Sequence, residues 1–344
     1  MKKQILISAF FTCLSMTVFA RIWRVNNNAG VNANFTSLTD AIAAAANDDI
    51  IYVEPSATSY DENTTVTVNK RVKIIGNGAF LSEHPSLQVN SNDSKFLNTT
   101  LTFAVGSDGS SIYGISANAF NINQAVNDIR IQRCKMTYVL LIFEHNNISI
   151  LENWVSGNIL TVATGSVTNL LIKNNIVTGY IDIKTGDAAI IENNTVVSGS
   201  YTLNLNNNTA VAVINNILKA GGGAPAVVLG GSATYSNNIS SDNSIPTTNS
   251  NQIDMDISTV LVAIPFNSDS DAQLKASTAT FISPAINTGL YGNGDDIGAF
   301  NNGTNRPSFI LGLIPPFPTI YALTGTNIVT TPAMNVTIST RSNN

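Results

Sequence analysis

Charge is scarce in this chain. Lys, Arg, Asp and Glu make up 11% of it, with 17 basic against 22 acidic residues and a formal net charge of −5. A surface poor in Lys and Arg with an acidic balance excludes nucleic acid or an anionic membrane as the main partner. Cysteine is nearly absent: Cys13 and Cys134 are the two. Cys13 falls in a leader-like segment described below, so no disulfide can form within the rest of the chain. The fold must then be held by its apolar core, which a chain of this length can supply. Beyond the leader, no stretch reaches the roughly 18 consecutive apolar residues of a membrane span. Helical spacing is missing almost everywhere. The exception is Phe35 to Ala46, where Thr36 or Ser37 can cap and Leu38, Ile42 and Ala45 or Ala46 form an apolar stripe.

What is present is a repeat. One frame returns in Ile150-Leu151-Glu152-Asn153-Trp154-Val155, Ile172-Lys173-Asn174-Asn175-Ile176-Val177, Ile191-Glu192-Asn193-Asn194-Thr195-Val196, Val213-Ile214-Asn215-Asn216-Ile217-Leu218 and Tyr235-Ser236-Asn237-Asn238-Ile239-Ser240. Ile131 to Met136 fits it with Cys134 in the Asn slot. Successive slots at 134, 153, 175, 194, 216 and 238 lie 19, 22, 19, 22 and 22 residues apart. Each repeat holds three short apolar runs with period-two alternation, such as Leu170 to Ile172, Ile176 to Val177 and Ile181 to Ile183, separated by polar turns. Roughly 20 residues making three strands and three turns is one coil of a parallel β-helix. Such a coil buries its apolar face only against the coils above and below. The slots Asn153, Asn175, Asn194, Asn216 and Asn238 predict an inward ladder of amides that occupies the left-handed turn position. The expected fold class is therefore all-β: a single-stranded right-handed parallel β-helix with an N-terminal capping helix and a short C-terminal β extension.

Taken in order, residues 1–20 combine Lys2 and Lys3, an apolar run from Ile5 to Phe19 and a small-residue exit at Ala20, the pattern of a secretory signal peptide. Its removal takes Lys2 and Lys3 away, leaving 15 basic against 22 acidic residues, a net charge of −7. Residues 21–49 carry an N-terminal strand and the helix that covers the first coil, since an open end exposes unpaired edges. The coil is expected over 50–306. Within it the Ser/Asn/Thr-rich segment 240–252 is a loop, and Ala272 to Leu274, Ala285 to Asn287 and Asp296 to Phe300 are the last coils. Residues 307–344, with Pro307, Pro315, Pro316 and Pro318 and two strand candidates at Tyr321 to Leu323 and Met334 to Ile338, form a cover or attachment segment.

The motifs Ser37-Leu38-Thr39-Asp40-Ala41-Ile42, Asp49-Ile50-Ile51-Tyr52-Val53, Lys73-Ile74-Ile75-Gly76, the Asn column, Ser283-Pro284-Ala285-Ile286-Asn287 and Asp296-Ile297-Gly298-Ala299-Phe300 resemble secreted right-handed parallel β-helix proteins of the pectate-lyase-like class, in the bacterial subset with a SPAI…DIGAF ending. The resemblance covers about residues 35 to 300 and concerns structural motifs, so it implies fold and carries little chemistry. Lyases of the class need acidic residues around Ca²⁺ beside a Lys or Arg base; hydrolases need several Asp together. Both would project from the strand after the variable turn.

On that strand the inward pairs are taken as Leu141 and Phe143, Leu160 and Val162, Ile181 and Ile183, Leu203 and Leu205, and Val227 and Leu229. The outward column is then Ile142, Thr161, Asp182, Asn204 and Val228. One carboxylate cannot hold a calcium ion or supply the pair that glycoside hydrolysis requires. No metal or cofactor is expected. Asp182 with Lys184 is the candidate acid and base; Trp154, Tyr180 and Tyr201 are candidate ligand-binding residues, because aromatic faces stack on sugars. His145 reads as a solvated turn residue, and Arg133 with Glu152 and Lys173 with Glu192 as surface ion pairs, each contributing about 0–1 kcal/mol. These features predict a monomeric, secreted or cell-surface protein that binds a polysaccharide or cell-envelope glycan. The alternative is a polysaccharide lyase or glycoside hydrolase acting on an acidic polysaccharide.

Overall fold

The computed structural model describes residues 20–60, 62, 64–162, 165–274, 297–300, 309–325 and 336–342. The expected signal-peptide segment apart from Ala20, Ala285 to Asn287, and Asp296 lie outside them. Parallel strands follow one another in a single right-handed coil. The first face stacks ten strands, from Ile22–Val25 at one end to Thr234–Ser236 at the other. The other two faces diverge from one strand, Ser116–Ile122. One continues through Lys135–Met136, Trp154–Val155, Ile176–Val177, Thr195–Val197, Ile217–Lys219 and Ile239–Ser240, and the other through Tyr138–Leu141, Ile159–Thr161, Ile181–Asp182, Leu203–Asn204 and Val227–Val228.

Alternation decides what enters the core. On the first face Ile131, Ile150, Ile172, Ile191, Val213 and Tyr235 stand in register, and all are buried. Each fully buried aliphatic side chain contributes about 1.5–3 kcal/mol relative to exposure. This is realised only because the neighbouring coil supplies the opposing surface. The helix Leu38–Ala44 closes the first end with Leu38, Ala41 and Ile42 buried. Ser37 Oγ accepts from Asp40 N, and the Glu62 carboxylate accepts from Leu38 N and Thr39 Oγ1. A carboxylate on exposed helical N–H groups is the favourable polarity for that end.

The amides form a continuous ladder. From Asn175 through Asn194 and Asn216 to Asn238, the side-chain oxygen accepts from both the backbone N–H and the side-chain N–H of the Asn slot before it, at 2.8–3.0 Å. Cys134 N opens it on Asn153 Oδ1 at 2.9 Å, and burial pushes the Cys134 thiol up to about 12, so it packs as an inert apolar group. The left-handed backbone lies one residue earlier than expected. Arg133, Glu152, Asn174, Asn193, Asn215 and Asn237 have φ of 54–58°. The residue ahead of the ladder turns the chain, which leaves the ladder residue free to aim its amide along the axis.

Three expectations about the far end need correction. Segment 240–252 is more than a loop, because Asn251 Oδ1 takes the next ladder position, accepting from Asn238 N and Nδ2 at 2.9 and 3.0 Å. Ala272 to Leu274 and the described part of Asp296 to Phe300 are not coils. From Met255, whose N–H donates to Ser240 O, the described residues 255–274, 297–300 and 309–317 lie along the outside of the second face as a strap. Gly298 N donates to Asn215 O, Ala299 N to Thr195 Oγ1, Asn174 Nδ2 to Ala299 O, and Arg133 Nη1 to Ile314 O. The strap thus binds polar groups at or near the left-handed turns, coil after coil, and covers the outward apolar residues Trp154, Ile176, Ile217 and Ile239. It ends where Ala79 N meets Gly312 O at 2.9 Å. A Cβ at Gly78, at φ +115°, would stand 2.4 Å from that same carbonyl oxygen, so glycine is required there. Finally, Thr319–Gly325 and Val336–Arg341 pair antiparallel as the C-terminal extension.

Candidate ligand face

The third face carries the candidate residues, and its register differs from expectation by two residues in the coil of Val139 and by one in the coil of Ile159. Val139, Ile159, Ile181, Leu203 and Val227 align as inward residues, so the outward column is Leu140, Leu160, Asp182, Asn204 and Val228. Thr161 is 1% exposed and faces the core, whereas Phe143 at 39% and Val162 at 41% do not. A one-residue slip exchanges the two faces of a strand. Asp182 nonetheless remains the single carboxylate of the column.

Just ahead of each inward residue runs a second column. Tyr138, Asn158 and Tyr180 occupy it in adjacent coils, and Tyr201 stands beside them. The glycines at the corner make it possible. A Cβ on Gly179 would fall 2.3 Å from Asn158 Oδ1, the atom that accepts from Tyr180 N at 3.0 Å. Tyr138 is 43% exposed. The Tyr180 and Tyr201 rings lie 4.7 Å apart at 46° and are half-buried. Burial, with the Tyr180 and Asp182 charges behind it, pushes the Tyr201 hydroxyl up to about 12, so it remains a hydrogen-bond donor at neutral pH.

Asp182 accepts from Asn206 Nδ2 at 2.9 Å and from Asn204 Nδ2 at 3.3 Å. Asn206, at φ 48°, holds its amide there while also donating to Ile183 O. Lys184 is exposed; its backbone N–H donates to Thr161 Oγ1 and its side chain forms no ion pair with Asp182. The two side chains are thus not paired with each other in the folded chain. Among the described residues no three His, Cys, Asp or Glu side chains converge on an ion-sized site. What the face offers is ring surface, amides and one carboxylate already fixed by two amides.

Several predicted residues lie elsewhere. Trp154 projects outward but is 5% exposed beneath the strap, edge-on to Phe80 at 5.1 Å and 6.2 Å from Phe266. It is a packing residue. His145 is buried, with Nδ1 3.0 Å from Val126 O and Nε2 accepting from Phe143 N; burial lowers its pKa. Arg133 and Glu152 make a buried pair under the strap, while Lys173 and Glu192 pair at 3.0 Å near the surface. Tyr138 and Asn158 escaped the sequence reading. Their signal is an offset of one before the inward residue, the same as Tyr180, and it was hidden by the register slip.

No family model, curated protein or solved structure matches the chain.

Proposed function

We propose that the protein is a secreted or cell-surface β-helix that binds glycans along the corner marked by Tyr138, Tyr180 and Tyr201, without cleaving them. The observation that carries this reading is the tyrosine pair at 4.7 Å beside Asp182 and the amides of Asn204 and Asn206. Flat rings supply apolar contact to sugar faces, and fixed amide and carboxylate groups supply directional partners for sugar hydroxyls. The leader-like residues 1–20 and the pectate-lyase-like motifs support export and a glycan partner. A lone carboxylate bound by amides supports binding over hydrolysis, which uses two.

A panel of neutral and acidic polysaccharides, scored for both retention and product, tests the proposal. Retention of at least one glycan is expected, with no unsaturated or hydrolysed product. Tyr180→Ala with Tyr201→Ala should weaken it roughly tenfold, about 1.4 kcal/mol for two rings. Retention unchanged in that double variant, or product from the unaltered protein, would overturn it.

A further inference from the structure

Beside the tyrosine column, at the corner of the second and third faces, a pocket of about 170 Å³ is lined by Leu97, Ser116, Ala117, Asn118, Lys135, Met136, Thr137 and Ser156. Its polar lining residues are Lys135, Ser116, Thr137, Ser156 and Asn118, with no acid among them. Ser116 and Lys135 are register partners in adjacent coils and face outward together. Ser116 is 8% exposed, and its buried Oγ has no hydrogen-bond partner among the described residues. A buried hydroxyl left unpaired costs roughly 1–3 kcal/mol, so its persistence beside a pocket points to a ligand that satisfies it. The Lys135 ammonium sits 3.7 Å above the Phe80 ring centroid and donates no hydrogen bond to any described residue. The ring fixes the charge from below and leaves its N–H groups to be claimed.

We infer that this pocket binds a single small oxyanion, a carboxylate or sulfate group held by the Lys135 ammonium and the Ser116 hydroxyl. Thr137 and Ser156 stand at its rim, and Thr137 leads directly into Tyr138, so an anionic substituent on a chain lying along the tyrosines would reach it. The inference rests on the glycan reading only for that source of the anion; a free anion would need no glycan.

Three acids already act on the Lys135 charge, and an oxyanion in the pocket competes with them. Burial lowers the Lys135 pKa, against which the Asp93, Glu83 and Asp269 charges act. None of these three acids lines the pocket or approaches Lys135 as an ion pair, and burial raises the Asp93 pKa, which favours its neutral form. Lys95, the register partner of Ser116 on the other side, adds a second cation to the same column. An oxyanion in the pocket would favour the charged form of the ammonium.

The test uses the full chain and follows the Lys135 Nζ resonance by NMR while sodium sulfate, sodium acetate, methyl glucuronide or methyl glucoside is added at constant ionic strength. The charged additives should saturate the resonance and raise its titration midpoint, while methyl glucoside should not. Ser116→Ala should weaken the response about tenfold, as loss of a charge-assisted hydrogen bond does. Lys135→Met, which keeps the contact with Phe80, should abolish the anion-induced rise in unfolding temperature, and Lys135→Arg should keep it. Tyr180→Ala with Tyr201→Ala should leave the response to sulfate and acetate intact, even if glycan retention is lost. An unchanged Lys135 midpoint with every anion, or equal stabilisation of the Lys135→Met protein, overturns the inference. A tighter response to glucuronide than to acetate assigns the anion to a sugar; equal responses assign it to a free ion, with the site upheld in either case.

Discussion

Replacing Asn194 by Ala should be among the most damaging single changes available in this chain. Its Nδ2 donates to Ile172 O at 2.9 Å, Glu192 O at 3.0 Å and Asn216 Oδ1 at 3.0 Å, and its Oδ1 accepts from Asn175 N and Nδ2 at 2.9 and 3.0 Å. Some partners survive the loss. Glu192 O still accepts from Asn174 N, Asn216 Oδ1 from Asn194 N, and Asn175 Nδ2 still donates to Ile150 O and Lys173 O. The backbone N–H of Asn175 is then left with no acceptor among the described residues, and Asn175 is sealed at 0% exposure. One orphaned buried donor costs about 1–3 kcal/mol, and the void left by the amide adds to it, so a loss of about 3 kcal/mol is expected. Asn194→Asp should cost more: its carboxylate can accept from Asn175 but donates to none of the three acceptors, and ionised it would be a buried charge without a counter-ion. Urea unfolding followed by circular dichroism gives the difference directly. Exposed Asn92→Ala serves as the reference and should fall within about 0.5 kcal/mol of the unaltered protein. If Asn194→Ala matched Asn92→Ala, the ladder would not be satisfying buried groups, and the argument for its role would fail.

Two further outcomes follow. Burial depresses the His145 pKa in the folded protein, so the unfolded chain binds its proton more readily; stability should fall as pH drops below the ordinary histidine value of about 6.5. Asp187, raised by burial, works in the opposite sense at lower pH, its stability contribution shrinking as pH rises above about 3.8. Urea midpoints at pH 7 and 5.5 should differ less in His145→Gln than in the unaltered protein, and an identical pH difference would refute the assignment. Gly78→Ala places a Cβ against Gly312 O and forces a non-glycine residue to φ +115°, costing about 1–3 kcal/mol. Limited proteolysis should then cut the strap near 309–317 first, and cleavage spread evenly over the coils would refute it.

The repeat frame made the coil legible because inward residues and amide slots obey one spacing and neither depends on distant sequence. The register at Leu160 was misread for a local reason: Ile159 and Leu160 are both aliphatic, and only stacking on Val139 and Ile181 decides which turns inward. Asp182 and the tyrosines were legible as positions on a surface, but Trp154 was not recognisable as covered. Its cover comes from residues more than a hundred positions later, whose apolar pattern matches that of further coils. For the same reason Arg133 and Glu152 looked like surface charges. His145 was misjudged because its polar neighbours Asn146 and Asn147 suggested a turn, whereas the imidazole serves as a buried acceptor for Phe143 N.

A stack of coils that touch only their neighbours should come apart like a zip, from whichever end is weakest. The returning segment changes that connectivity. By linking the coil of Ser240 to the turn at Gly78, beside the third strand of the first face, and to several coils between, it ties most of the stack into one unit. Loosening either end then releases contacts in the middle, so this protein should melt in a single step rather than coil by coil.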